Sequence, residues 1–313
     1  MKNYFWGVGL VALLAFSGCG SDSVNPPGSP SAPATLDLSA ESARVLMDGF
    51  SNSFSAAWSD GSPEGVADMF TDDGVRIVGN AQVSFNGKDE IAASFAEIAT
   101  GGALQQTHVD ITTTDARFVA EDLVIGCGTW RIMNTSDEVV MDGKWGNTYR
   151  LANGELRMLM ESAYQSATDV DEEANVAAVQ EMQADWDCGD SETCAQVEAN
   201  VAAFVSNFNT NNLENISMLF RADGIRTVSA LPEIALDRAG VLKSLQGEEG
   251  GALSAELKGF KDLGNNLVLA HGQWNTEGSE GEIVAFGQWG NLFETSESGA
   301  LLVMESAGRF LID

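Results

Sequence analysis

Two arginine–carboxylate pairs recur at matching places in the chain: Arg76 with Glu161, and Arg226 with Glu305. Each acid lies in an identical MESA block, within runs otherwise rich in Met and Leu. A charge on an apolar strand needs a counter-charge. Such a pair therefore either ties two strands together or anchors the polar end of a ligand. The chain has only two histidines, His108 and His271, and they do not occupy equivalent positions. Cys188 and Cys194 are close together in the polar block CGDSETC. A thiol–metal site there would need two more soft ligands, which neither flank offers. Cys127 lies in an apolar strand pattern and reads as a buried, inert thiol. There is no Gly-rich phosphate loop, nucleophile elbow, HExxH or EF-hand spacing, so no metal and no cofactor is expected. The acidic run 169–173 fits the capped start of a helix better than a cation loop.

The elements that would position these residues come in two sets. Met69 to Gly79 (MFTDDGVRIVG) matches Leu219 to Ser229 (LFRADGIRTVS) at an offset of 150. GTWRI at Gly128 and GKWGN at Gly143 match GQWNT at Gly272 and GQWGN at Gly287 at an offset of 144, as do the two MESA blocks. Matched blocks in one order predict a tandem duplication, with copies over 40–166 and 192–313 and a connecting helix and loop over 167–191. In the first copy, Leu46, Phe50, Phe54 and Trp58 draw an apolar stripe along a helix. Ser62-Pro63 starts a second, short helix. Asp73-Gly74 reads as a turn into a strand over 75–78, and Ile91, Phe95 and Ile98 mark a third helix ended by Gly101-Gly102. From His108 the period becomes two, which predicts strands over 109–113, 123–132, 139–151 and 156–164. The expected fold is α+β: two tandem cone-shaped domains, each a curved antiparallel sheet covered by three helices.

The N-terminus speaks to location. Residues 1–18 carry Lys2, an apolar run from Tyr4 to Phe16, and small residues before Cys19, the layout of a signal peptide. Phe16-Ser17-Gly18-Cys19 resembles the lipobox of bacterial lipoproteins, which implies acylation of Cys19. Gly20 after it resembles the outer-membrane sorting pattern. Residues 19–39, rich in Ser, Pro and Gly, then read as a disordered tether. The expected location is the bacterial cell envelope, as an outer-membrane lipoprotein facing the periplasm or the surface, with the lipid its only membrane contact. In that oxidising compartment Cys188 and Cys194 form a disulfide. With 46 acidic and 16 basic residues the net charge is −30, a field that repels phosphate backbones and sets nucleic acid aside as a partner.

The order helix, helix, strand, helix, meander resembles the nuclear transport factor 2-like superfamily, nearest its SnoaL-like polyketide cyclase and ketosteroid isomerase branch. The residues that carry the likeness are the aromatic first helix ending at Trp58, FTDDGV (70–75), THVDI (107–111), GTW and GKWGNTY. The resemblance implies a cavity between helices and sheet. Strand alternation places Trp130, Trp145, Asn147, Tyr149 and Met160 on its lining in copy one, and Trp274, Trp289, Asn291 and Phe293 in copy two. The alternative is that these rings fill a solid core. Catalytic members of the superfamily use buried carboxylates or histidines. Any chemistry would then fall to His108, with Asp110 or Asp73 as partner.

Three functions stay open at this point. One is binding of a small apolar molecule, or of a partner, without turnover. Another is isomerase, dehydratase or cyclase activity from the first copy, and the last is a structural presentation module. The faces opposite the aromatic ones (Ile125, Cys127 and Thr129; Leu269, His271 and Gln273) are only half polar. They predict a monomer whose two copies meet as an intramolecular pseudo-dimer, with Cys127 and His271 at the seam.

Overall fold

The computed structural model describes residues 38–78, 84–100, 106–166, 188–246 and 251–311. The leader, Cys19, most of the tether, Gly101-Gly102 and the connecting helix lie outside these residues.

Ser39 caps the first helix, α1 (Ala40–Ser59), by accepting from the Ser42 N–H. Its buried face carries Met47, Phe50, Phe54 and Trp58, one side chain per turn. Ser62 caps α2 (Pro63–Ala67) in the same way. Strand β1 (Phe70–Val78) follows, then β2 (Ser84–Asn86), α3 (Gly87–Thr100), β3 (Thr107–Ala120), β4 (Leu123–Asn134), β5 (Val139–Ala152) and β6 (Glu155–Gln165). The first sheet runs β2-β1-β6-β5-β4-β3.

The second half follows the same order, without a strand matching β2 among the described residues and with one strand added at the end: α4 (Glu192–Asn209), α5 (Leu213–Met218), β7 (Phe220–Val228), α6 (Arg238–Leu245), β8 (Ala252–Gly264), β9 (Leu267–Glu277), β10 (Ile283–Ser296), β11 (Gly299–Ala307) and β12 (Phe310–Leu311). Its sheet runs β7-β11-β10-β9-β8, and β12 pairs with β10. The fold is therefore α+β, with two sheets of like order. The Cys188–Cys194 disulfide lies just before α4, and Ser191 within its loop caps that helix.

Two expectations about strands need correction. The sheets are mixed, because β1 lies parallel to β6 and β7 parallel to β11. A parallel partner needs a long crossover, and local periodicity carries no sign of it. Asp73-Gly74 is not a turn before the strand either. It lies inside β1, in an irregularity between Phe70 and Val75 where the register against β6 shifts.

Each half has its own core, and a third apolar cluster draws on both sheets. It holds Ile77, Ile125, Cys127, Leu159, Met160 and Tyr164 from the first half, and Ile225, Leu269, Leu292, Val303 and Met304 from the second. At its middle the backbones approach closely. A Cβ on Gly146 would meet Ser306 at 2.9 Å, and one on Gly290 would meet Ser162 at 2.9 Å. Ser306 Oγ donates to the Ser162 carbonyl at 3.0 Å, and Ser162 Oγ to the Ser306 carbonyl at 3.4 Å. Beside them Lys144 of β5 reaches into the second half, donating to the carbonyls of Val228 and Ser229 at 3.2 Å and to that of Leu231. Burial holds its ammonium below the ordinary lysine value.

Candidate functional site

In the first half α1 does not close fully on the sheet. Between them is a cavity of about 250 Å³. Phe50, Phe54 and Trp58 line it from the helix, and Trp130, Trp145 and Tyr149 from β4 and β5. The indole N–H groups are already committed. Trp58 Nε1 donates to Thr107 Oγ1 at 3.1 Å, Trp130 Nε1 to the Lys144 carbonyl at 3.2 Å, and Trp145 Nε1 to the Thr129 carbonyl at 3.2 Å. What the rings offer the cavity is hydrocarbon and π-face. The glycines of β4 make room for them: Gly126 and Gly128 lie under the Trp145 ring, where a Cβ would come within 3.2 and 3.0 Å of its atoms.

The polar groups on the cavity wall come from β1, β5, β6 and α1. Arg76 and Glu161 are register partners on β1 and β6. Arg76 Nε donates to Glu161 Oε2 at 2.8 Å and Nη1 to Ser94 Oγ at 3.0 Å, and the guanidinium lies 4.1 Å from the Phe95 ring centroid. Burial pushes the Glu161 carboxyl above its ordinary value, against the opposing pull of Arg76. Asn147 accepts the Ser162 N–H at 2.8 Å and donates to the Tyr149 hydroxyl at 3.1 Å. Ser51 and Gln165 complete the polar lining.

The second half builds the same frame around less space, a cavity of about 90 Å³. Arg226 Nε donates to Glu305 at 2.8 Å and Nη1 to Ser244 Oγ at 3.0 Å. Asn291 accepts the Ser306 N–H at 3.2 Å, and Trp289 Nε1 donates to the Gln273 carbonyl at 3.3 Å. Trp274, Trp289, Asn291 and Phe293 all line this cavity.

Of the lining residues read from sequence, Met160 is misplaced. It belongs to the seam cluster, and Met158 lines the cavity instead. The cause is a register irregularity between β5 and β6 at Thr148–Tyr149, which leaves Leu159 and Met160 both on the seam side. None of the three catalytic candidates reaches the cavity. His108 pairs with Met133 on β3 and lies 3.5 Å from the exposed Asp137, while its neighbours Val109 and Ile111 face the cavity. Asp110, on the same side as His108, is exposed. Asp73 sits across the seam from Lys261, with a carboxylate–ammonium distance of 2.5 Å that holds its pKa below the ordinary value. Among the lining residues that sequence reasoning missed are Phe50, Ser51, Phe54, Trp58 and Met158. The α1 stripe was the available signal for Phe50. Among the described residues no cluster of three or more His, Cys, Asp or Glu could hold a metal.

No protein-family model matches the chain, and no curated protein matches it. Solved structures of similar shape each cover one part of it. A protein of unknown function with a cystatin-like fold from Nostoc punctiforme is 13% identical, covering 42% of this chain and 96% of its own, with a TM-score of 0.37. A nuclear transport factor 2-like protein with a cystatin-like fold from Novosphingobium aromaticivorans is 15% identical over 44% and 89%, with a TM-score of 0.35. A ketosteroid isomerase-like protein from Erwinia carotovora atroseptica is 15% identical over 39% and 94%, with a TM-score of 0.32.

Proposed function

We propose that the first half binds a small, mainly apolar molecule without turning it over. The observation that carries this reading is the cavity of about 250 Å³, walled by six aromatic rings whose indole N–H groups already have partners. A half-open pocket of that size leaves aromatic and aliphatic faces against water, and a ligand that displaces the water gains their burial. Catalysis would need a free acid or base in the cavity. His108, Asp110 and Asp73 lie elsewhere, and among the described residues the one carboxylate on the lining, Glu161, is bound by Arg76. Native mass spectrometry of the purified protein should show a co-purified small molecule, lost in Trp145→Ala. No adduct, together with no calorimetric response to a panel of small apolar compounds, would overturn the reading.

The setting proposed for this site follows from the chain itself. The two halves are nuclear transport factor 2-like domains over 40–166 and 192–313, each a cone with three covering helices, produced by tandem duplication. Support comes from the matched sequence blocks and the matched strand orders. The protein is a monomer in which the domains serve as each other's dimer partner. It is exported and anchored through acylated Cys19. Palmitate labelling that fails in the wild type, or a stable homodimer in solution, would remove these parts separately.

A further inference from the structure

The charge and anchoring group of the ligand can be read from which polar atoms in the first cavity are already spent. This step rests on the proposed binding function. The two ionised groups, Arg76 and Glu161, neutralise one another at 2.8 Å, and the guanidinium is further held by Ser94 and the Phe95 face. The Asn147 carbonyl oxygen is taken by the Ser162 N–H. Among the described residues, two hydroxyls are left besides the Gln165 side chain. Ser51 is buried, lines the cavity and makes no hydrogen bond within the described residues. The Tyr149 hydroxyl accepts from Asn147, and its own proton has no acceptor there.

The second half shows what these positions become where less space is kept. At the matching offsets, Ser51 corresponds to Val201 and Tyr149 to Phe293, and both replacements line the smaller cavity. The shared frame therefore needs neither hydroxyl: the Arg–Glu pair, the Asn cap and the buried tryptophan are all in place without them. A hydroxyl that faces a cavity with unused donor capacity is available to the acceptor atom of a ligand. The first half keeps two, around one cavity.

We infer that the first cavity selects an uncharged amphipathic molecule, whose single polar acceptor atom is held by the Ser51 and Tyr149 hydroxyls while its apolar body lies among the tryptophans. A carboxylate would enter beside Glu161 with no unpaired cation to meet it, after crossing the field of a chain of net charge −30. A quaternary ammonium would find aromatic faces, but also the fixed Arg76 guanidinium in the same wall.

The test uses the full chain and three naphthalene probes of matched body, measured by titration calorimetry: 2-naphthol, naphthalene-2-carboxylate and (2-naphthylmethyl)trimethylammonium. The expected result is that naphthol binds at least tenfold tighter than either ion. In the double variant Ser51→Val with Tyr149→Phe, naphthol should lose on the order of tenfold in affinity, while unsubstituted naphthalene is unchanged. These substitutions import residues that the second half already accommodates, and thermal melting confirms that the variant is folded. An ion that binds as well as naphthol overturns the inference but leaves the cavity a binding site, as does a double variant with unchanged preference. Failure of every probe, including naphthalene, counts against the binding function itself.

Discussion

The two cavities share a skeleton and differ in what fills it. Both hold an arginine–glutamate pair at 2.8 Å, an asparagine that accepts a backbone N–H from the next strand, and a tryptophan whose indole donates to a carbonyl on the neighbouring strand. Yet one offers about 250 Å³ and the other about 90 Å³, both open to solvent on one side. Among the lining residues that differ are Phe50 against Asn200, Ser51 against Val201, Trp58 against Phe208, Ile132 against Thr276, Tyr149 against Phe293, Met158 against Leu302 and Gln165 against Arg309. The second half also pairs β12 with β10, burying Phe286 against Phe310. The common residues thus hold the cone together, and the residues free to differ decide whether it is hollow.

If the common residues are structural in both halves, breaking either ion pair should cost alike. Glu161→Ala and Glu305→Ala each strand a buried guanidinium, so each should destabilise by about 3–5 kcal/mol in urea unfolding. A loss confined to one half would show that the frames are not equivalent. The next contrast is His271 against Cys127, which occupy matching positions. Burial lowers the His271 pKa to about 4 from an ordinary 6.5. The unfolded chain therefore binds the proton more readily, and stability present above pH 6.5 drains away as pH falls toward 4. The loss should be about 3 kcal/mol. Burial raises the Cys127 thiol to about 12, so the residue that matches His271 in the first half does not titrate in that window. His271→Cys should flatten this part of the stability–pH curve, and an unchanged curve would clear His271 of responsibility.

Smaller effects follow. The Cys188–Cys194 bridge closes a short loop at the start of α4, so Cys188→Ser with Cys194→Ser should cost about 2 kcal/mol or less. Loss of α4 protection in hydrogen exchange, with α1 unaffected, would locate that cost. The subtlest contrast is between two tryptophans. Trp289→Ala should cost about 3–5 kcal/mol, and Trp145→Ala roughly 1 kcal/mol less, because the Trp145 ring already borders a larger void. Equal costs in chemical denaturation would mean that the extra volume of the first cavity is not felt energetically.

Much of this was legible in the chain. The four-residue spacing of Phe50, Phe54 and Trp58 gave α1 and its buried face. Alternation along β5 put Trp145, Asn147 and Tyr149 on one wall. The recurrence of Arg76 with Glu161 pointed to a pair that turns out to be in register. Alternation failed at Met160, because a strand irregularity changes the parity of every residue beyond it and leaves no trace in side-chain type. It also shortened β3, where polar Thr112 to Asp115 hide a strand that continues past another shift, between Thr113 and Asp115, to Ala120. Which residue of the THVDI strand faces the cavity was likewise not legible: Val109 lines it and the adjacent His108 does not.

The seam built on Gly146, Ser162, Gly290 and Ser306 carries a consequence for how the chain is made. A ribosome completes β6 well before β7 through β11 exist, so the sheet face bearing Ile125, Cys127, Leu159 and Met160 emerges with nothing to cover it. The contacts that cover it join residues about 144 positions apart, as between Ser162 and Ser306. Closure of that face must wait for the whole chain, and until then the half-made protein presents an adhesive apolar sheet. Its most hazardous moment is therefore during synthesis, when a holding chaperone would matter more than at any time after the second sheet has docked.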